Sequence, residues 1–216
     1  MNMGPIFKTL EFFWPPVGLL CQESHLFKSD HEKREEEFEK IKTEYFKKLI
    51  SQKIYCQHFL SEVDKIEQGG LKRKETLESK AYSILGSIEI SAILLIFIST
   101  AVFASDWKLP KGVLISIVIV FGLAIIHLLT SVYYATKVIM VGEYFIQSSE
   151  SVDEWIENEP SKLEYLVAQK YANSKMNQPI MISKSNFLTV AQKLFIRSVM
   201  FLSIGTLLIF VYSLIW

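Results

Sequence analysis

Apolar residues along this chain gather in three blocks, Ile84 to Ser105, Gly112 to Ala135 and Val199 to Trp216, with the charged residues lying elsewhere. The hydrocarbon core of a bilayer takes about 20 consecutive, mostly apolar residues at 1.5 Å rise per residue. The first two blocks meet that length with only Glu89 and His127 as ionisable interruptions, and the polar turn Asp106-Trp107-Lys108-Leu109-Pro110-Lys111 joins them. The pattern predicts a transmembrane hairpin within residues 83–135, with spans over 84–105 and 112–135. A third transmembrane helix is expected over 197–216.

The polar stretches carry a different period. Residues 1–28 form an irregular, aromatic-rich segment in which Phe7, Phe12, Phe13 and Trp14 precede Pro15-Pro16. Such a segment should dock on its own helices, on lipid headgroups or on a partner. Ser29 followed by Glu32 is a capping box, and acidic residues crowd the first turn. From there Phe38, Ile41, Tyr45, Leu49, Cys56, Phe59, Val63 and Ile66 recur at three-, four- or seven-residue steps. They predict one amphipathic helix from Asp30 to Gln68, about 58 Å long. Its stripe needs covering, either by other helices of the chain or by a partner or second copy. Gly69-Gly70 is expected to stop it, and a new helix from Leu71 should run into the first span. Beyond the second span a helical run continues through Tyr144 and Phe145 toward Glu150. Short helices follow from Ser151 and over Ser161 to Ser174. Asn177 to Ile182, with Pro179, is expected to be a loop, and Ser185 or Asn186 should cap a last helix that enters the third span. The expected class is an all-α membrane protein with three transmembrane helices and a cytosolic, coiled-coil-like helical region over 29–82 and 136–196.

Charge sets the orientation. Lys72, Arg73, Lys74 and Lys80 precede the first span, whereas the hairpin turn offers only Lys108 and Lys111; Lys137, Lys184, Lys193 and Arg197 follow the second. Lysine and arginine bias therefore puts the N-terminus and residues 136–196 inside, and the turn and C-terminus outside. Trp107 and Trp216 then both fall at the outer interface, where indoles settle.

Composition fits this class: 50% of residues are hydrophobic and mean hydropathy is +0.26. A formal net charge of zero removes the usual argument for a nucleic-acid surface. Sequence-specific nucleic-acid binding is not expected, and the basic cluster Lys72, Arg73, Lys74 and Lys80 is assigned first to orientation and anionic headgroups. Cys21 and Cys56 have no CxxC or paired-histidine spacing, which indicates reduced thiols. A secretory signal is not expected in the first residues, and insertion is expected to use internal segments.

Glu89 and His127 are the sharpest chemical hints. An ionisable group in hydrocarbon costs about 2.5–3.5 kcal/mol on insertion scales, so each should face protein or water. Glu89 lies nine residues past Lys80 and His127 ten before Lys137, a comparable depth of about 14 Å on antiparallel helices. With Ser83, Ser87 and Ser91 on the first span and Thr130 and Ser131 on the second, they form a candidate polar seam. The seam serves either as interhelical hydrogen bonding or as the wall of a water-filled passage in an oligomer; Glu89 alternatively snorkels to the inner interface. No nucleophile with its base, phosphate loop or metal motif is present, so no catalysis, cofactor or metal is expected.

Two stretches carry a resemblance. Lys80-Ala81-Tyr82-Ser83-Ile84-Leu85-Gly86-Ser87, a helix entering the first of two close spans, resembles the start of SLATT-type bacterial membrane effectors. Asn186-Phe187-Leu188-Thr189-Val190-Ala191-Gln192-Lys193-Leu194-Phe195 before a final span is similar to small membrane effectors of phage-defence operons, including those accompanying retrons and nucleotide-signalling systems. The resemblance implies an inner-membrane toxin of abortive infection, held silent by an operon-encoded partner such as a reverse transcriptase or nucleotide-signalling enzyme. When triggered it would homo-oligomerise and permeabilise or depolarise the bilayer. The other expectation is a non-catalytic membrane anchor that recruits a soluble partner through the long helix.

Overall fold

A computed structural model describes residues 31–52, 56–104, 110–140 and 162–215. These form four α-helices, α1 (His31–Gln52), α2 (Cys56–Ala104), α3 (Lys111–Met140) and α4 (Lys162–Ile215), with no strand among the described residues. Three segments, Leu60–Thr100, Lys111–Met140 and Leu163–Leu214, are long and apolar enough to cross a membrane. The chain is an all-α membrane protein. The expected N-terminal segment, the turn around Trp107, the run toward Glu150, the helix from Ser151 and the last residue Trp216 lie outside the described residues.

Three expected boundaries are corrected. The Asp30-to-Gln68 helix is divided, since α1 ends at Gln52 and α2 begins at Cys56. Gly69-Gly70 does not end a helix; α2 runs through both for 49 residues. Each glycine costs about 1 kcal/mol against alanine, but strong helix formers flank the pair, and Asp64 and Glu67 just before it are pinned by ion pairs to Lys170. Asn177 to Ile182 is not a loop, because α4 is helical for 54 residues with Pro179 inside it. Proline removes a donor and leaves the Lys175 carbonyl without its helical partner, a cost of about 3 kcal/mol. Met176, Asn177, Ile180 and Met181 are buried on both sides of it, and that packing carries the helix across.

The described residues fall into two compact units, one within Met1–Thr76 and Val141–Ser183, the other within Leu77–Met140 and Lys184–Trp216. In the first, α1, the start of α2 and the start of α4 enclose Leu49, Val63, Val167 and Ala168, with Tyr45, Phe46 and Leu60 packed against them. In the second, Leu77, Ala81, Ile84 and Ile88 form the buried face of α2, opposite Ala124, Leu128, Tyr134, Ala135 and Val138 of α3 and Phe187, Leu188, Ala191 and Leu194 of α4. Its outside is apolar as well: Ile93, Phe97, Leu129 and Leu214 are 66%, 73%, 66% and 71% exposed. So continuous a greasy exterior belongs in lipid.

Candidate functional site

The polar side chains of the second unit are distributed by helix face. On α3, His127, Ser131 and Tyr134 follow one another at four and three residues and are all buried. The Ser131 hydroxyl donates to the Ala191 carbonyl of α4 at 2.8 Å. The Tyr134 ring lies 6.0 Å from Phe187, and His127 lies 5.4 Å from Phe201. His127 Nδ1 donates to the Leu123 carbonyl at 2.8 Å. A carbonyl only accepts, so Nδ1 carries the proton of this bond. Ser198 of α4 is also buried.

The other seam residues make different bonds. Ser87 donates to the Ser83 carbonyl (2.8 Å), Ser91 to the Ser87 carbonyl (2.9 Å) and Thr130 to the Ile126 carbonyl (2.7 Å). Ser203 and Thr206 do the same toward Val199 and Leu202. Each hydroxyl is thereby satisfied on its own helix, which lowers its cost in lipid without tying it to a neighbour. Ser83 is exposed. Glu89 is exposed too and makes no ion pair with His127; it sits one residue past Ile88, about 100° around the helix from the buried stripe. The structure thus brings His127 and Ser131 to α4, and leaves Glu89 on the outer face.

One central residue escaped the sequence reading. Lys184 is 1% exposed and its Nζ lies 2.6 Å from Glu78 of α2. Burying an ammonium costs several kcal/mol unless it is paired, so this ion pair fixes the register of α2 against α4. The available signal was periodicity: Lys184 stands on the stripe that continues through Phe187, Leu188, Ala191, Leu194 and Ser198.

In the first unit, the stripe of Phe38, Ile41, Tyr45, Leu49, Val63 and Ile66 faces α4 for much of its length. Leu49 and Val63 are buried, Phe38, Ile41 and Tyr45 half-buried, and Ile66 exposed; the side chains of Cys56 and Phe59 lie outside the described residues. Tyr45 stacks on Tyr171 with centroids 4.0 Å apart, and Phe46 meets Tyr165 edge-on at 6.0 Å. Lys170 pairs with Asp64 at 2.7 Å and Glu67 at 2.8 Å. Burial lowers its pKa, but hydrogen bonds and attraction from the two carboxylates outweigh burial and leave it raised. Lys42 is likewise raised, burial being outweighed by Glu39 and Tyr165, and burial beside Tyr171 raises the Tyr45 phenol.

Lys72, Arg73 and Lys80 are exposed and Lys74 is half-buried. Arg73 lines a groove of about 450 Å³ with Glu67, Gly69, Gly70, Asn177 and Gln178. No cluster of histidine, cysteine or carboxylates able to hold a metal occurs among the described residues. No family model, curated protein or solved structure matches the chain.

Proposed function

We propose that this chain is an effector of a bacterial phage-defence system that acts in the inner membrane, is kept silent by an operon-encoded partner, and self-assembles on triggering to permeabilise or depolarise the bilayer. The partner is a reverse transcriptase or a nucleotide-signalling enzyme. Under this reading the N-terminus and residues 136–196 face the cytosol and the C-terminus faces outward, as the lysine and arginine bias favours. The observation that carries the proposal is Glu89, an exposed carboxylate in a helix whose neighbouring exposed residues, Ile90, Ile93 and Phe97, suit lipid. A carboxylate there is costly for a lone molecule and becomes useful once another surface covers it.

The test is inducible expression with a membrane-potential dye. Wild type depolarises the cells, and Glu89→Leu, which inserts as readily, does not. Toxicity without depolarisation, or equal depolarisation by the variant, sinks the proposal. An anchor that recruits a soluble protein through the α1 stripe has less to work with, since α4 already covers Leu49 and stacks on Tyr45.

A further inference from the structure

In the second unit α2 and α4 each carry an exposed charge on an otherwise apolar face, Glu89 on one and Lys193 on the other, at nearly equal height. The two helices run parallel here. Ser131 meets Ala191 and the Phe121 ring meets Gly205, so α3 runs antiparallel to α4; α2 ends at Ala104 and α3 begins at Lys111, a connection too short for two helices of one unit to lie parallel, so α2 runs antiparallel to α3 in turn. The Glu78–Lys184 pair supplies a common zero of height. Heights follow from the residues counted beyond it along each helix, at about 1.5 Å apiece. Glu89 is eleven beyond and Lys193 nine, at about 16.5 and 13.5 Å, an offset well within the reach of a lysine side chain. Both are exposed. Apolar Ile90 and Ile93 continue the α2 face, as Ile196 and Met200 continue that of α4.

Two apolar faces that carry opposite charges at nearly equal height, a carboxylate on α2 and an ammonium on α4, are complementary to each other and not each to itself. We infer that a second copy of this chain docks head to tail at the cytosolic edge of the bilayer, its α4 face laid along α2 of the first, with Glu89 of one copy paired to Lys193 of the next. Because the two faces differ, the contact is heterologous, and repetition closes a ring or extends a row. The inference rests on the reading above that the chain self-assembles in the membrane, and it names the contact.

The full chain carrying Cys21→Ser and Cys56→Ser is the background for Glu89→Cys and Lys193→Cys, oxidised in the membranes of expressing cells. The chain with both new cysteines gives a ladder of dimers, trimers and larger species on non-reducing gels. Each single variant gives monomer alone, and the two single variants co-expressed give dimer. Charge reversal in detergent reports independently: Glu89→Lys or Lys193→Glu lowers the oligomeric fraction about tenfold, and combining both in one chain restores it. Dimers from Glu89→Cys alone, a fast-running internal disulfide without a ladder, or an unchanged oligomer in both reversed variants would overturn the inference. The ladder is read without phage or dye, so a ladder without depolarisation removes the effector reading and keeps the contact, while depolarisation without a ladder does the reverse.

Discussion

The two units put polarity in opposite places. In the first, an apolar cluster around Leu49 and Val63 sits beneath charged pairs such as Lys170 with Asp64 and Glu67, as expected of a water-facing bundle. In the second, isoleucines and phenylalanines face outward while His127, Ser131, Ser198 and Lys184 are buried. A single helix, α4, serves both arrangements along its 54 residues. Amphipathicity averaged over such a helix loses its meaning, because the solvent that defines the favourable face changes along its length.

The contrast can be broken hardest at the ion pair inside the apolar unit. Glu78→Ala strands the buried Lys184 ammonium and is expected to cost about 3–5 kcal/mol, whereas Lys184→Met with Glu78→Gln is close to neutral. Unfolding in detergent micelles, followed by denaturant titration, measures both. Next, deletion of matched apolar side chains should separate the units: Leu49→Ala costs about 2–4 kcal/mol, and Phe97→Ala, exposed to lipid, costs well under 1 kcal/mol. Glycine replacement sharpens the same point. Gly69→Ala, where a Cβ meets nothing within 4 Å, is expected to stabilise α2 by about 0.5–1 kcal/mol, whereas Gly205→Ala pushes a methyl to 3.1 Å from the Phe121 ring and destabilises.

The smallest effect is alkaline. Lys42, Tyr45 and Lys170 all hold their protons more tightly in the folded first unit than at their ordinary values of 10.5, 10.0 and 10.5. Stability from these groups is therefore complete at neutral pH and is lost as pH rises above about 10 toward their raised values. Tyrosine absorbance against pH, compared between wild type and Lys170→Met, checks it: the variant should show a shallower stability loss.

The spans and the all-helical class were legible in the sequence because lipid demands a length and a composition that few other structures share. Element ends were less so. Gly69-Gly70 and Pro179 carry real local penalties, but helical neighbours and the burial of Met176 and Ile180 decide the outcome, and those are long-range facts. His127 and Ser131 stood out as polar residues in an apolar run, and the fold brings both to α4. Glu89 stood out equally, yet its neighbours gave no clue to which way it faced; one residue of rotation separates Ile88 in the core from Glu89 outside. Lys184 was hidden by its own usefulness as an orientation marker, since a lysine near a span end is ordinarily counted at the water's edge.

The self-contained serines and threonines give the membrane unit little friction. Ser87, Ser91, Thr130, Ser203 and Thr206 all keep their bonds when a helix turns or slides, since donor and acceptor travel together on one rod. Ser131 holding Ala191 is a latch by comparison. Releasing that latch would let the rods exchange neighbours while every other one of these hydroxyls stayed bonded.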